Sequence, residues 1–323
     1  MLDVVCFGEI LWDVFEARPR GREPIARSFR RELGGAPANV ATGLARLGAR
    51  AAVVGGVGRD RFGAALVQHL AGDGVDTRFV VELPNRTGLT FVVRDARGEP
   101  EFLFYRHDSA DLAIRAAHVT APMGRARWIL VGSSTLMTRD LARATGRFLD
   151  VGQRAGARVF VDLNVRAHLW RDHRTMRRAI GALAGRAALV KASDADLAAV
   201  SGGGDGLRWL ERHAPRASWL ITRGSGVASA IGEHGEVGAP ALRAPCVDAT
   251  GGGDAFIAGA LSALVAARAV PGSPAWRDEA VWRAALRAGH IMGKKAVSRP
   301  GAVAGLVHLG RARAVVESVR REP

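Results

Sequence analysis

The stretch DATGGGDAFIAGAL, Asp248 to Leu261, carries the residue types with the clearest chemical use. Three consecutive glycines, Gly251 to Gly253, end in Asp254 just where an apolar helical pattern begins, with Ile257, Leu261, Leu264 and Val265 on one face. The first N–H groups of a helix have no partner inside it, and the helix dipole makes that end partly positive. Glycines, lacking a Cβ, let such amides come close to a ligand, so the stretch suits an anion. A carboxylate beside that anion is repelled by it unless it has a task, and the task open to Asp254 is taking a proton. Taken alone, the same residues also fit an ordinary tight loop with an acidic first helical turn.

Other polar residues fall where short apolar runs end. Asp13 follows LW and reads as the point where a first strand gives way to loop; a solvated loop aspartate is the competing reading. Gly34 and Gly35 precede a helix with Val40, Leu44 and Leu47 at helical spacing, Pro37 in its first turn and Gly48 at its end; Asn39 sits near that turn, within reach of a ligand or of local backbone. Asp162, Asn164 and Arg166 follow RVFV; Lys191, Ser193, Asp194 and Asp196 follow ALV; Thr222, Arg223, Gly224 and Gly226 follow WLI. Each cluster alone is ordinary turn and cap chemistry. Their shared place at strand ends is the stronger signal, because ligands of open α/β sheets gather there.

The elements that must position these residues alternate. VVCF, AAVVGG, WILV, RVFV, ALV and WLIT read as buried strands, with helical stretches between them such as 141–152 and 174–184. That pattern predicts an α/β fold with a mostly parallel central sheet and helices on both faces. Between Thr87 and Ile114 the texture changes to two β-rich runs around a polar turn at Arg97 and Gly98, a hairpin that could cover a pocket, with Tyr105, Arg106 and Asp108 at its end.

Composition excludes several classes. The 323 residues are 48% hydrophobic and 6% aromatic, enough for an Ala, Val and Leu core. Two cysteines, Cys6 and Cys246, argue against a disulfide scaffold or a cysteine-rich zinc site and fit a reducing cytoplasm. Neither a signal peptide nor an apolar run of about 20 residues is present, so neither secretion nor a membrane span is expected. The net charge of +15 is dispersed, with short runs such as Arg177–Arg178 and Arg320–Arg321 and no interleaved aromatics, so nucleic acid is not an expected partner. Gly56 and Gly58 lack the third glycine of a dinucleotide fingerprint, since Arg61 stands there, and GHIMGKK has neither the spacing nor the hydroxyl of a Walker A loop.

These residues match a known pattern: the chain resembles the ribokinase-like (PfkB-type) carbohydrate kinases, and among them bacterial fructokinases. DATGGGDAFIAGAL is similar to the family signature DTTGAGDAF; GEILWD, GGAPANVATGLARLG and VGRDRFG match toward the N-terminus. FYRHDSADL resembles FYRxxSAD, VDLNVRAHLW resembles DxNxRxxLW, and VKASDADL and ITRGSGV follow in order.

The resemblance implies one ribokinase-like kinase domain over residues 1–323, with a small β-sheet lid whose strands fall within about 12–33 and 87–114. It implies transfer of the γ-phosphoryl group of Mg-ATP to a primary hydroxyl of a small sugar, with fructose expected and 2-keto-3-deoxygluconate, ribose or a nucleoside as alternatives. A silent sugar- or nucleotide-binding regulator is the non-enzymatic alternative. Asp254 would be the base and Gly251, Gly252 and Gly253 the anion hole; Asp13, Gly34, Gly35, Asn39 and Arg166 would face the sugar, joined by Arg106 from the lid. Lys191, Thr222, Gly224, Gly226 and Gly253 would lie along the nucleotide. Asp194 would act on magnesium indirectly, and Asp248 and Thr250 match a region that binds a monovalent cation, such as K+, in many relatives. A homodimer through the lid is a further expectation. Two departures stand out: GAGD reads GGGD here, and the family's NxxE reads Lys191, Ala192, Ser193, Asp194.

Overall fold

The computed structural model describes residues 1–17, 25–94, 100–243, 245–299 and 301–306. The Arg97–Gly98 turn, the Arg320–Arg321 pair and Pro300 of the late Pro/Gly turn lie outside these residues.

In chain order the elements are β1 (Leu2–Phe7), β2 (Leu11–Glu16), β3 (Phe29–Gly34), α1 (Ala36–Arg46), β4 (Ala51–Gly58), α2 (Arg61–Gly72), β5 (Val80–Leu83), β6 (Leu89–Arg94) and β7 (Pro100–Tyr105). There follow β8 (Ala126–Gly132), α3 (Arg139–Arg154), β9 (Arg158–Asp162), α4 (His173–Ala184), β10 (Leu189–Ser193), α5 (Asp194–Ser201), α6 (Gly206–His213) and β11 (Ser218–Thr222). The chain closes with β12 (Val227–Gly232), β13 (Gly235–Pro240), α7 (Gly252–Ala266) and α8 (Glu279–Val297).

Among the described residues the central sheet has nine strands in the order β13-β12-β11-β10-β9-β8-β1-β4-β5. It is parallel from β11 to β5, and β12 pairs antiparallel with both β11 and β13. Strand β1 shows why its sequence is continuously apolar. Val4 and Cys6 belong to the core on one face and Val5 and Phe7 to the core on the other, so a strand covered by helices on both sides needs no polar alternation. The chain leaves β1 toward β4 and β5 on one side and returns to β8 on the other. That reversal creates a crevice at the carboxyl ends of β1 and β8.

Helix α7 is buried on nearly every side rather than along the single apolar stripe expected from its sequence: Ala255 to Ser262 are all buried. Small residues make this packing close. A Cβ on Gly43 of α1 would stand 2.6 Å from the Ala258 methyl, and one on Gly289 of α8 would stand 2.7 Å from the Phe256 ring. A helix locked between α1, α8 and the sheet cannot shift, which fixes the position of its N-terminus.

A second, four-stranded sheet has the order β3-β2-β6-β7. Asp13 lies inside this sheet, in the middle of β2, paired with Glu32 on one side and Thr90 on the other, and not at a strand-to-loop boundary. Antiparallel β6 and β7 form the hairpin expected there. Period-2 alternation sends Leu11, Asp13, Thr90, Phe102 and Phe104 into a pocket, while Phe29, Phe91 and Tyr105 stack edge to face on the opposite side. No helix among the described residues is long and apolar enough to cross a membrane.

Candidate active site

The floor of the pocket is the start of α7. Gly251, its N-cap, has φ of +73°, and an added Cβ would overlap the Ala302 methyl, so both conformation and space require glycine. Asp248 braces this turn: one carboxylate oxygen accepts the Thr250 N–H at 2.9 Å and the other accepts the Gly301 N–H at 2.9 Å. Gly252 donates its own amide to the Ala249 carbonyl at 3.2 Å. The amides of Gly251, Gly253 and Asp254 are therefore the ones left for a ligand at this helix end.

The Asp254 carboxylate accepts a hydrogen bond at 2.8 Å from Asn39 Nδ2, in the first turn of α1. Asn39 is buried, and its Oδ1 has no protein partner. The turn that delivers Asn39 begins at Gly35, with φ of +96° and its backbone against the Glu9 carbonyl, where no other residue fits. Beside it a Cβ on Gly34 would come within 2.5 Å of the Asp13 carboxyl carbon.

Two carboxyls of this site titrate far from their ordinary range. Burial pushes Asp254 up to about 6; its hydrogen bond from Asn39 opposes that, nearby Asp162 adds to it, and Lys191 and Arg166 oppose it. Burial pushes Asp13 up to about 8, helped by the Asp254 and Glu9 charges and opposed by Arg106. Of the two, Asp13 is pushed further, so Asp254 is the group that gives up its proton more readily.

Strand ends and the small sheet complete a cavity of about 320 Å³, at the small end of the range for ligand pockets. Glu9, after β1, accepts a hydrogen bond at 2.7 Å from Ser134, after β8. Lys191 lies within β10 and not after it; its ammonium sits 3.3 Å from Asp162 and 3.9 Å from Asp196, and a Cβ on Gly253 would be 3.4 Å from it. Burial alone would lower the Lys191 pKa, but the Asp162 and Asp196 charges hold it above its ordinary value. Arg106, at the end of β7, is buried and paired with Asp111. Arg166 is exposed at the pocket wall.

The pocket gathers Asp13, Gly35, Asn39, Arg106, Arg166, Lys191, Thr250, Gly251, Gly253 and Asp254. Gly34 and Gly252 support it from behind. Thr222, Gly224, Gly226, Asp194 and Asp248 are not among its lining residues. Asp194, the first residue of α5, is well exposed and 3.8 Å from the Arg223 Nε. No group of three His, Cys, Asp or Glu side chains able to hold a metal ion occurs among the described residues. Sequence reasoning missed Glu9, Ser134, Phe102 and Phe104. Ser134 lies two residues past the end of β8, so the strand-end rule applied to β8 could have found it; the alternating phenylalanines of EFLFY signalled one shared face.

A family model described as pfkB family carbohydrate kinase matches residues 1–308. The chain is 36% identical over 239 residues to a fructokinase of Klebsiella pneumoniae, covering 72% of this chain and 77% of that protein. It is 32% identical over 312 residues to fructokinase-1 of Oryza sativa subsp. japonica, covering 94% of each. Among solved structures, the crystal structure of fructokinase with bound ATP from Xylella fastidiosa superposes with a TM-score of 0.87 at 29% identity, covering 99% of both chains.

Proposed function

We propose that this chain, which belongs to the pfkB family of carbohydrate kinases, phosphorylates fructose at a primary hydroxyl with ATP as donor. At the coarser level it is a phosphotransferase acting on a sugar hydroxyl. One observation carries the reading: Asp254, held by Asn39 with a pKa raised to about 6, lies at the pocket floor on a helix end whose Gly251, Gly253 and Asp254 amides have no acceptor among the described residues.

In this reading the sugar hydroxyl gives its proton to Asp254 as its oxygen bonds to the γ-phosphorus, and the bond from phosphorus to the bridging oxygen of ADP breaks. The free amides and Lys191 stabilise charge on the transferring group. Asp13, Asn39 Oδ1 and Arg106 orient the remaining hydroxyls, and Arg166 reaches between sugar and phosphates. The small sheet acts as a lid over residues of one kinase domain, and its apolar inner face excludes water. The nucleotide extends past Thr222, Gly224 and Gly226, where exposed Val227 and Leu242 offer an apolar rim. Magnesium carried on the nucleotide would neutralise its phosphates; with no all-protein cage at the site, the fitting group is the exposed Asp194 carboxylate, acting through water.

ADP release from Mg-ATP should depend on fructose, with kcat/KM at least tenfold above that for 2-keto-3-deoxygluconate, ribose or adenosine. Running the panel in potassium and in sodium reads whether the Asp248–Thr250 turn also takes a monovalent cation. Phe102 and Phe104 favour a second reading, because two aromatic rings lining the pocket could stack on a nucleoside base. A lead for adenosine would move the substrate there. Silence on all four acceptors would leave a sugar- or nucleotide-binding regulator.

The exposed Phe29 and Tyr105 rings on the outer face of the small sheet suit a second copy of the chain. Sedimentation should then give the mass of a dimer, and the mass of one chain at micromolar concentration would remove that pairing.

A further inference from the structure

We propose that Asp111 sets the charge of the sugar this pocket admits, by holding Arg106 as one half of a neutral pair so that the acceptor is an uncharged polyol and not a sugar acid. The inference rests on the sugar-kinase reading above and names the substrate class of that same site.

Arg106 and Asp111 are 7% and 1% exposed, and only Arg106 lines the pocket. Arg106 donates from Nε to the Asp111 carboxylate at 2.8 Å and from Nη2 to the same oxygen. The other oxygen accepts from Ser109 Oγ at 2.6 Å. The chain leaves room for this carboxylate by placing Gly88 opposite it, where a Cβ would stand 2.5 Å from Asp111 Oδ1. With one edge fixed, the guanidinium keeps its remaining N–H groups for the pocket, and a planar fork so held is a directional donor.

The charges around it all have one sign. Burial works against the Arg106 cation, and Asp111, Glu9 and Asp13 outweigh that and hold its pKa above the ordinary value. Glu9 is itself held toward the pocket by Ser134. Arg106 thus carries its positive charge among carboxyls from three different stretches of chain, and a ligand carboxylate arriving there meets no uncompensated cation. Arg166, the remaining guanidinium of the pocket, bears on Asp162 and Asp254 and belongs to the transfer end. Asp111 is a positioning residue: it touches Arg106 and not the substrate.

The test compares binding of D-fructose and D-gluconate by calorimetry in wild type, Asp111→Asn and the neutral pair Arg106→Gln/Asp111→Asn. Freeing the Arg106 charge in Asp111→Asn should raise gluconate affinity relative to fructose at least tenfold, a change of preference that a general loosening of the fold does not produce. In the neutral pair both affinities should move together, with their ratio within threefold of wild type. An unchanged ratio in Asp111→Asn overturns the proposal. So does a neutral pair whose gluconate affinity falls tenfold against fructose, because Arg106 would then have acted as a free cation in wild type. If Asp111→Asn does not fold, the neutral pair, which replaces the two charges of the ion pair together, decides alone. Calorimetry needs no turnover, so a wild type that binds both sugars yet releases no ADP would count against the kinase reading and leave this inference standing.

Discussion

Asp254→Asn should lower kcat by about a thousandfold, equivalent to about 4 kcal/mol of transition-state stabilisation, while the melting temperature stays close to that of wild type. The fold survives because asparagine has nearly the shape of aspartate and its carbonyl still accepts from Asn39 Nδ2, the contact made now at 2.8 Å. What disappears is the group that takes the hydroxyl proton. The pH dependence supplies an independent reading of the same residue. Burial raises Asp254 to about 6, so the base is present above that pH and lost below it. Wild-type kcat should therefore fall as pH drops through about 6, and the residual rate of the variant should lack that limb. A variant with kcat within tenfold of wild type would remove Asp254 as base, whatever the fate of the fold.

The same residue shows how far sequence reaches. Gly251 to Asp254 could be placed at a helix start because the features involved are local: glycines, an acidic first turn and an apolar run in one window. Which amides remain free was not legible. Gly252 closes a turn onto Ala249, and that depends on the path of residues 248–251, which Gly301 and Ala302 help to set from some fifty positions away. Asp13 was misplaced for a related reason. LWD looks like a short strand running out, since the partners that extend it, β3 and β6, follow only after long stretches of chain. Asp111 gave no signal in FYRHDSADL, because a buried carboxylate and a turn aspartate are the same letter; burial against Arg106 and the gap left by Gly88 are tertiary facts.

Lys191→Met should be costly in both stability and turnover, and its pH dependence separates the two effects. Lys191 is 5% exposed, and Asp162 Oδ1 has no hydrogen-bond partner beyond its 3.3 Å ion pair with this ammonium. Asp196 is better supplied, since it also accepts from the Val165 and Ser193 amides. Methionine would fill the space but strand the Asp162 carboxylate in a buried site, a loss of about 3–5 kcal/mol. Asp162 has a partial escape in taking a proton, because burial already pushes its pKa above the ordinary value. The neutral form tolerates burial, so the penalty should grow as pH rises above the ordinary carboxylate range and shrink as pH falls toward 4. Thermal melts of variant and wild type at pH 5 and pH 8 would read this, and an equal difference at both pH values would show that Lys191 does not compensate Asp162. Turnover should respond separately. Lys191 opposes the rise of the Asp254 pKa, so its removal should shift the acid limb of kcat upward from about 6. Loss of a fixed cation beside Gly253 should also lower the plateau by about a hundredfold or more. A variant that melts early but keeps the wild-type plateau and limb would confine Lys191 to the fold; movement of both limb and plateau would tie the buried Lys191–Asp162 pair to the proton and charge transfer at Asp254.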